Sequence, residues 1–267
     1  MISLVPRTTA TTEEGVFPTI MTPNIRHLLS LFVLISIHST SHADGLIVKL
    51  PKDGVEVRYK IEYEPISNPG FKFMTIRSVG KIIHIDKPCR WIEFGFLRGE
   101  NVNSGDEHIK ILVPETELIK GGEPLGHVIK GFLKNGNSEP RALPKVLDIK
   151  RSPLPILLAA ADKNSVPLEA IQLNTGLGNL QCQGSKGTGV FISKSIEEEG
   201  GKVEENPFKI TADTEYRFHD KVPFGVAQLR LAMVADPGGK SDKMNMTMIF
   251  TVEKISTGAV SAMPDSK

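Results

Sequence analysis

The sequence predicts a mainly β fold of the α+β type, a strongly curved antiparallel sheet or half-barrel with one or two helices covering its concave face. Three observations lead there. Apolar and polar residues alternate with period two over several segments. Glycine, proline and Asx turn signals separate those segments at short intervals. One stretch, residues 124–136, shifts to a helical period.

The elements follow in chain order. Pro51-Lys52-Asp53-Gly54 is a turn signal ahead of residues 55–63, where Val55, Val57, Tyr59, Ile61 and Tyr63 alternate with Glu56, Arg58, Lys60 and Glu62. That pattern is a half-buried strand. Residues 71–78 and 81–86 read as strands with Gly80 near a bend. Residues 89–97 set Ile92, Phe94 and Phe96 on one face and Trp91 and Glu93 on the other. Residues 108–113 add another strand, and short turns between them make an antiparallel meander.

Residues 114–120 allow a short helix. Pro124 then suits a first helical turn. Leu125, Val128, Ile129, Phe132 and Leu133 fall on one helical face, and Asn135-Gly136 supplies a left-handed stop. Residues 140–155 hold four prolines and read as an extended connection, followed by a short apolar run at 156–161. Residues 167–173 and 177–183 return to strand character. Residues 184–189 read as a glycine-rich turn and residues 197–206 as a charged, mobile loop. Residues 215–219, 226–234 and 246–255 complete the strands, with Asp236-Pro237-Gly238-Gly239 as a turn and residues 258–267 as a frayed tail.

Ahead of this domain, Arg26 precedes an apolar run at residues 28–37, and Ser41-His42-Ala43 offers small residues at a cleavage site. Basic, apolar and small-residue regions in that order make a secretory signal, and the run is shorter than the ~20 residues of a membrane span. Residues 1–43 are therefore expected to be leader and signal peptide, and residues 44–267 a single exported domain, periplasmic or extracellular. Met1 and Met21 are both open as the true start. No cysteine adjoins the cleavage site, so the processed chain is expected to be soluble.

The whole chain carries 32 basic and 31 acidic residues, a net charge of +1. Without a basic surplus or run, nucleic acid is not the expected partner, because phosphate-tracking proteins concentrate positive charge. Cys89 and Cys182 are the two cysteines. In an oxidising compartment they could form a disulfide closing about 93 residues, stabilising by about 4–5 kcal/mol on the chain-entropy model. The alternative is two buried thiols.

Chemistry-bearing motifs are absent. His84, His108, His127 and His219 form no metal-ligand pair, no nucleophile elbow or phosphate loop occurs, and the acidic runs Glu197-Glu198-Glu199 and Glu204-Glu205 lack the spacing of a calcium loop. No catalytic residue, metal or cofactor is expected. Glu93, beside Trp91, is the most notable carboxylate. A hydrolase would require it to converge with His84 or His219.

Three segments carry a family resemblance: Lys87-Pro88-Cys89-Arg90-Trp91-Ile92-Glu93-Phe94, Leu180-Gln181-Cys182-Gln183-Gly184, and Asp220-Lys221-Val222-Pro223-Phe224-Gly225-Val226. Through them the chain resembles uncharacterised exported bacterial proteins with a mainly β domain. More distantly, it is similar to the lipoprotein-carrier (LolA-like) superfamily in the order of elements over residues 55–255. The resemblance implies a half-barrel whose helix-covered apolar cavity binds a lipid or acyl chain, and it lends no catalytic residues. The long charged segment at 197–206 and the proline-rich connection depart from the carriers.

The expected function is thus an exported binding protein, not an enzyme, holding a lipid-like or apolar ligand. Trp91, Phe94, Phe132, Phe224, Met246 and Met248 are the expected cavity lining. A structural or protein-interaction module of the cell envelope is the alternative.

Overall fold

The computed structural model describes residues 35–36, 45–65, 70–100, 105–119, 124–143, 157, 165–199, 202–236 and 243–263. The rest of the leader with its cleavage site, most of the proline-rich connection and of the apolar run after it, and the 237–239 turn lie outside the described residues.

Period-two segments become strands, as expected from side chains that alternate across a sheet. These are β1 (Ile35–Ser36), β2 (Val55–Glu64), β3 (Phe73–His84), β4 (Lys87–Leu97), β5 (Glu107–Pro114), β6 (Lys130–Asn135), β7 (Arg141–Ala142), β8 (Val166–Thr175), β9 (Gly178–Glu199), β10 (Lys202–Phe218), β11 (Val226–Asp236) and β12 (Met244–Thr257). They form one antiparallel sheet among the described residues. Its order is β1-β9-β10-β11-β12-β2-β3-β4-β5-β6-β7, with β8 also on β9. The sheet is not closed. Pairing of the last strand with β2, for example Val252 with Tyr59, joins the early meander to the late hairpins.

The sheet curls around its core. The Gly176 amide, between β8 and β9, donates to the Val252 carbonyl of β12 at 3.1 Å. The larger of two apolar clusters runs from Tyr216, Leu229 and Phe250 through Tyr59 and Ile76 to Phe94 and Ile111. Residues outside the strands complete it: Leu46, Leu118, Leu125, Leu157 and Phe224. The Tyr59 hydroxyl is buried there and donates to the Val226 carbonyl at 3.0 Å. Burial pushes that phenol's pKa well above its ordinary value.

Four expectations are corrected. First, the amphipathic helix is absent: Pro124–His127 is one 3-10 turn, and Lys130–Asn135 is strand β6 on β5. Gly126 and Gly131 lie within the apolar pattern, and each costs a helix about 1 kcal/mol relative to alanine. Asn135-Gly136 instead turns β6 towards β7, with Gly136 at φ 53°. The segment at 114–120 is likewise only a 3-10 turn, Glu115–Leu118. Among the described residues, the named helical elements are these two 3-10 turns, and a covering helix is not supported.

Second, residues 184–189 are strand within β9, paired with Arg217 through Ala212 of β10. A Cβ at Gly184 would stand 2.8 Å from Arg217 Nη1 and 2.9 Å from the Tyr216 carbonyl. Glycine there permits close strand packing, not a bend. Third, the acidic residues at 197–199 and 204–205 are strand positions at the end of the β9–β10 hairpin, with Glu197 opposite Glu204.

Fourth, the tail is not frayed as far as Met263. Beyond β12 it crosses the outer face of the sheet, and Met263 is 1% exposed. Of the two alternatives left open for the cysteines, Cys89 and Cys182 stand as separate buried thiols. They stand on β4 and β9, remote from each other in the order of strands. Burial pushes the Cys182 thiol up, and the nearby Arg217 charge offsets part of that rise.

Candidate functional site

Strand β9 alternates Gln181, Cys182, Gln183, Gly184 and Ser185. Cys182 is buried, while both glutamines are exposed. The same period that sends the thiol inward therefore puts two amides and a hydroxyl on the opposite face. Beside them, where the neighbouring strand ends at Phe218, is the bend between β10 and β11. The His219 amide donates to the Gly225 carbonyl at 2.9 Å, and the Val222 amide returns to the His219 carbonyl at 3.0 Å. Val48 donates from the N-terminal segment to the Phe224 carbonyl at 3.0 Å, which packs that segment against the bend.

A cleft of about 660 Å³ lies between these parts. Gln181, Gln183 and Ser185 of β9 line it together with Phe218 of β10, the ladder partner of Gln183, and with His219 and Lys49. Several groups are held in place. The Phe218 ring stacks on buried Tyr216 with 5.9 Å between centroids and 7° between planes. The Lys221 amide donates to His219 Nδ1 at 3.0 Å, which leaves Nε2 as the ring's N–H donor in the neutral form. Lys49 Nζ donates to the Asp220 carbonyl at 2.6 Å. Behind the wall, Arg217 lies along Gly184, donates to the Glu169 carbonyl at 2.7 Å and pairs with Glu215 at 2.5 Å.

The arrangement offers amide donors and acceptors, a hydroxyl and an aromatic ring. It suits a polar, hydrogen-bonding ligand more than an acyl chain. None of the six expected cavity residues is among those lining it. Phe94 and Phe224 are fully buried in the core. Trp91 and Phe132 meet each other, with 5.8 Å between centroids, on the face of β4 and β6 that bears Glu93. Met246 and Met248 lie half-buried against Leu231 and Met233. Gln181 and Gln183 fall within the expected strand at 177–183, where polar residues on one face read as ordinary solvated positions, and Ser185 falls in the segment read as a turn.

Glu93 has a different setting. The register lines up Glu56, Arg77, Glu93 and Lys110 across β2, β3, β4 and β5, so charges alternate in sign. Glu93 and Lys110 are at most 1% exposed. Arg77 donates to Glu93 at 3.0 Å and also pairs with Glu56. The tail caps this row. The Ser261 hydroxyl donates to Glu93 at 2.6 Å and the Ala262 amide at 3.1 Å, while Lys110 Nζ reaches the Met263 carbonyl at 3.5 Å. Lys110 Nζ also lies 5.0 Å from the Trp91 ring centroid. The nearest histidine is His108, with Nδ1 3.7 Å from Glu93; neither His84 nor His219 is among its partners. Burial alone would raise the Glu93 carboxyl. Contacts with His108, Ser261, Arg77 and the Ala262 amide outweigh it and hold the carboxyl below its ordinary value. Covered by the tail, this cluster is a fastening of the fold. Among the described residues, no group of three or more His, Cys, Asp or Glu could hold a metal ion. No described helix is long and apolar enough to cross a membrane.

No protein-family model and no curated protein matches the chain. Solved structures similar to it include a provisionally named exported protein with a YmcC-like fold from Bacteroides fragilis. It has a TM-score of 0.37 and 7% identity, covering 79% of this chain and 99% of that one. Another is a provisionally named lipoprotein from Parabacteroides distasonis, with a TM-score of 0.37 and 9% identity, covering 80% of this chain and 100% of that one. Likeness of that degree carries no inference about the site, and neither comparison links the chain to the lipoprotein carriers.

Proposed function

We propose that this chain is an exported binding module whose ligand is polar and hydroxyl-bearing, such as a saccharide, and occupies the cleft between β9 and the β10–β11 bend. Export rests on the apolar run and small residues before Asp44. The observation that carries the ligand class is the set Gln181, Gln183, Ser185, Phe218 and His219 lining about 660 Å³, with Phe218 beside Gln183 on the neighbouring strand. Sites of this size bind by burying a ligand face on an aromatic ring while a few placed polar groups orient it. The lipid-like ligand expected from the sequence would need room among Phe94, Phe224 and their neighbours, which pack against one another.

A glycan array followed by calorimetry on the best hit tests this. Wild-type protein is expected to bind, and Gln181→Ala with Gln183→Ala to weaken binding about tenfold or more, as for lost ligand hydrogen bonds. Both positions are exposed, so folding is unaffected. Equal binding by the double variant removes the cleft from the reading. A lipid mass co-purifying in native mass spectrometry, with no saccharide bound, restores the apolar-ligand form.

A second reading, a protein-interaction module, draws on β8. This ten-residue strand pairs with β9, and Val166 and Ile171 are 52% and 37% exposed. Exposed edges of this kind accept a partner's strand. Loss of a captured partner on Ile171→Lys would favour it.

A further inference from the structure

The last strand, β12, ends at Thr257, and the described residues after it join no strand. Gly258, at φ 75°, turns the tail off the sheet. Among the described residues, one backbone–backbone bond then ties the tail back, from the Ala259 amide to the Gly54 carbonyl. Val260 stands 79% exposed. Met263 is 1% exposed, yet it belongs to neither apolar cluster of the core. A methionine buried outside the core has a seat of its own on the outer face.

That seat holds a short turn as a binding site holds a peptide. The Met263 amide donates to Ser261 Oγ at 3.1 Å, so residues 261–263 fold on themselves. Glu93 of β4 accepts from the Ser261 hydroxyl and the Ala262 amide. Lys134 Nζ of β6 donates to the Ala262 carbonyl at 3.4 Å, and Lys110 Nζ of β5 to the Met263 carbonyl at 3.5 Å. Arg77, itself paired with Glu56, orients Glu93 from the sheet side, independently of the tail.

We propose that the outer face of β4, β5 and β6 is a peptide-docking site with the tail as its tethered occupant, and that it takes a Ser-small-Met turn of a partner protein when the tail lifts. Three of the four contacts made by Glu93, Lys110 and Lys134 fall on the occupant's peptide groups, which any chain carries. The serine hydroxyl and the seated methionine supply the selectivity. Gly258 supplies the hinge, with nothing within 4 Å of where its Cβ would stand. A segment held without ladder bonds opens at less cost than the whole fold. Lifting strips Glu93 of two hydrogen bonds, and an incoming turn of the same chemistry restores them. The tether lowers the apparent affinity for a free peptide by the fraction of molecules that are open. This proposal is independent of the ligand in the cleft.

The test is fluorescence anisotropy of a fluorescein-labelled peptide of residues 257–263, amidated at its C-terminus, with full-length processed protein. Met263→Asp drives the protein's own tail from the seat. That variant is expected to bind the peptide about tenfold or more tightly than wild type. Trp91, the chain's only tryptophan, lies on this face and its emission should change on binding. Lys134 is half-buried, so Lys134→Gln added to Met263→Asp should keep the fold and weaken binding about threefold or more. A peptide with Asp in place of the methionine should bind neither protein. The proposal is overturned if Met263→Asp binds no more tightly than wild type, or if Lys134→Gln leaves its affinity unchanged. Where Met263→Asp does not fold, Ala262→Pro removes the amide given to Glu93 and carries the same expectation. Failure of both to fold would make the tail inseparable from the fold and overturn the proposal. A wild-type dimer that Met263→Asp dissociates would give the seat to a second copy's tail and overturn the separate partner.

Discussion

Glu93 concentrates the residue-scale energetics. It is fully buried and receives hydrogen bonds from Arg77, Ser261 and the Ala262 amide. Removing one partner of a buried, charge-assisted cluster costs about 3–5 kcal/mol. Glu93→Gln keeps the shape but not the charge, and is expected to cost about 2–4 kcal/mol in urea denaturation. The pH dependence has a definite sign. The folded carboxyl lies below its unfolded value, near 4.5. Its contribution is therefore complete above that value and lost as pH falls towards and through the folded pKa. Unfolding free energy should fall over the acid side of pH 4.5 in wild-type protein, and less steeply in Glu93→Gln. Gly184→Ala tests close approach. The new methyl would press on Arg217 and the Tyr216 carbonyl, with an expected loss of about 1–3 kcal/mol. Denaturation midpoints of Ala and Ser variants would measure it. Glu93 was visible in the sequence as a carboxylate beside Trp91. Its partners were not, because they follow from the β3–β4–β5 register and from a tail more than 160 residues away.

At the scale of elements, alternation located β2, β4, β5, β11 and β12 nearly to the residue. It misled where glycine carried two meanings. In residues 124–136 the apolar spacing fits both a helical stripe and a strand entered from a 3-10 turn. Propensity of Gly126 and Gly131 and the open edge of β5 favour the strand. Gly136→Ala is expected to cost about 1 kcal/mol, because alanine is disfavoured at φ 53°. A helix stop and a hairpin turn both use Asn-Gly, so stability alone does not separate them. Backbone chemical shifts over Lys130–Asn135 should, by taking strand values.

On the scale of the molecule, the tail acts as a strap. After Gly258 the Ala259 amide donates to the Gly54 carbonyl, and residues 261–263 reach Glu93 and Lys110. Truncation after Val260 would leave both charges without those partners. An expected loss of about 2–4 kcal/mol follows, read from the midpoint of chemical unfolding. The thiols give a second global check. Iodoacetamide should add no mass to native protein and two adducts after denaturation, since Cys89 and Cys182 are buried and unbridged.

By itself, the sequence determined the β class, the meander, the turns and the near-neutral charge, because period-two burial and turn chemistry are local properties written in neighbouring residues. Tertiary structure alone decided which strands meet. That choice built the amide-lined cleft, paired Glu93 with His108 instead of His84 or His219, kept the two cysteines apart and drew the tail over the outer face. Each of those outcomes depends on register between segments far apart in the chain, and a register shift of one residue would send every side chain to the opposite face.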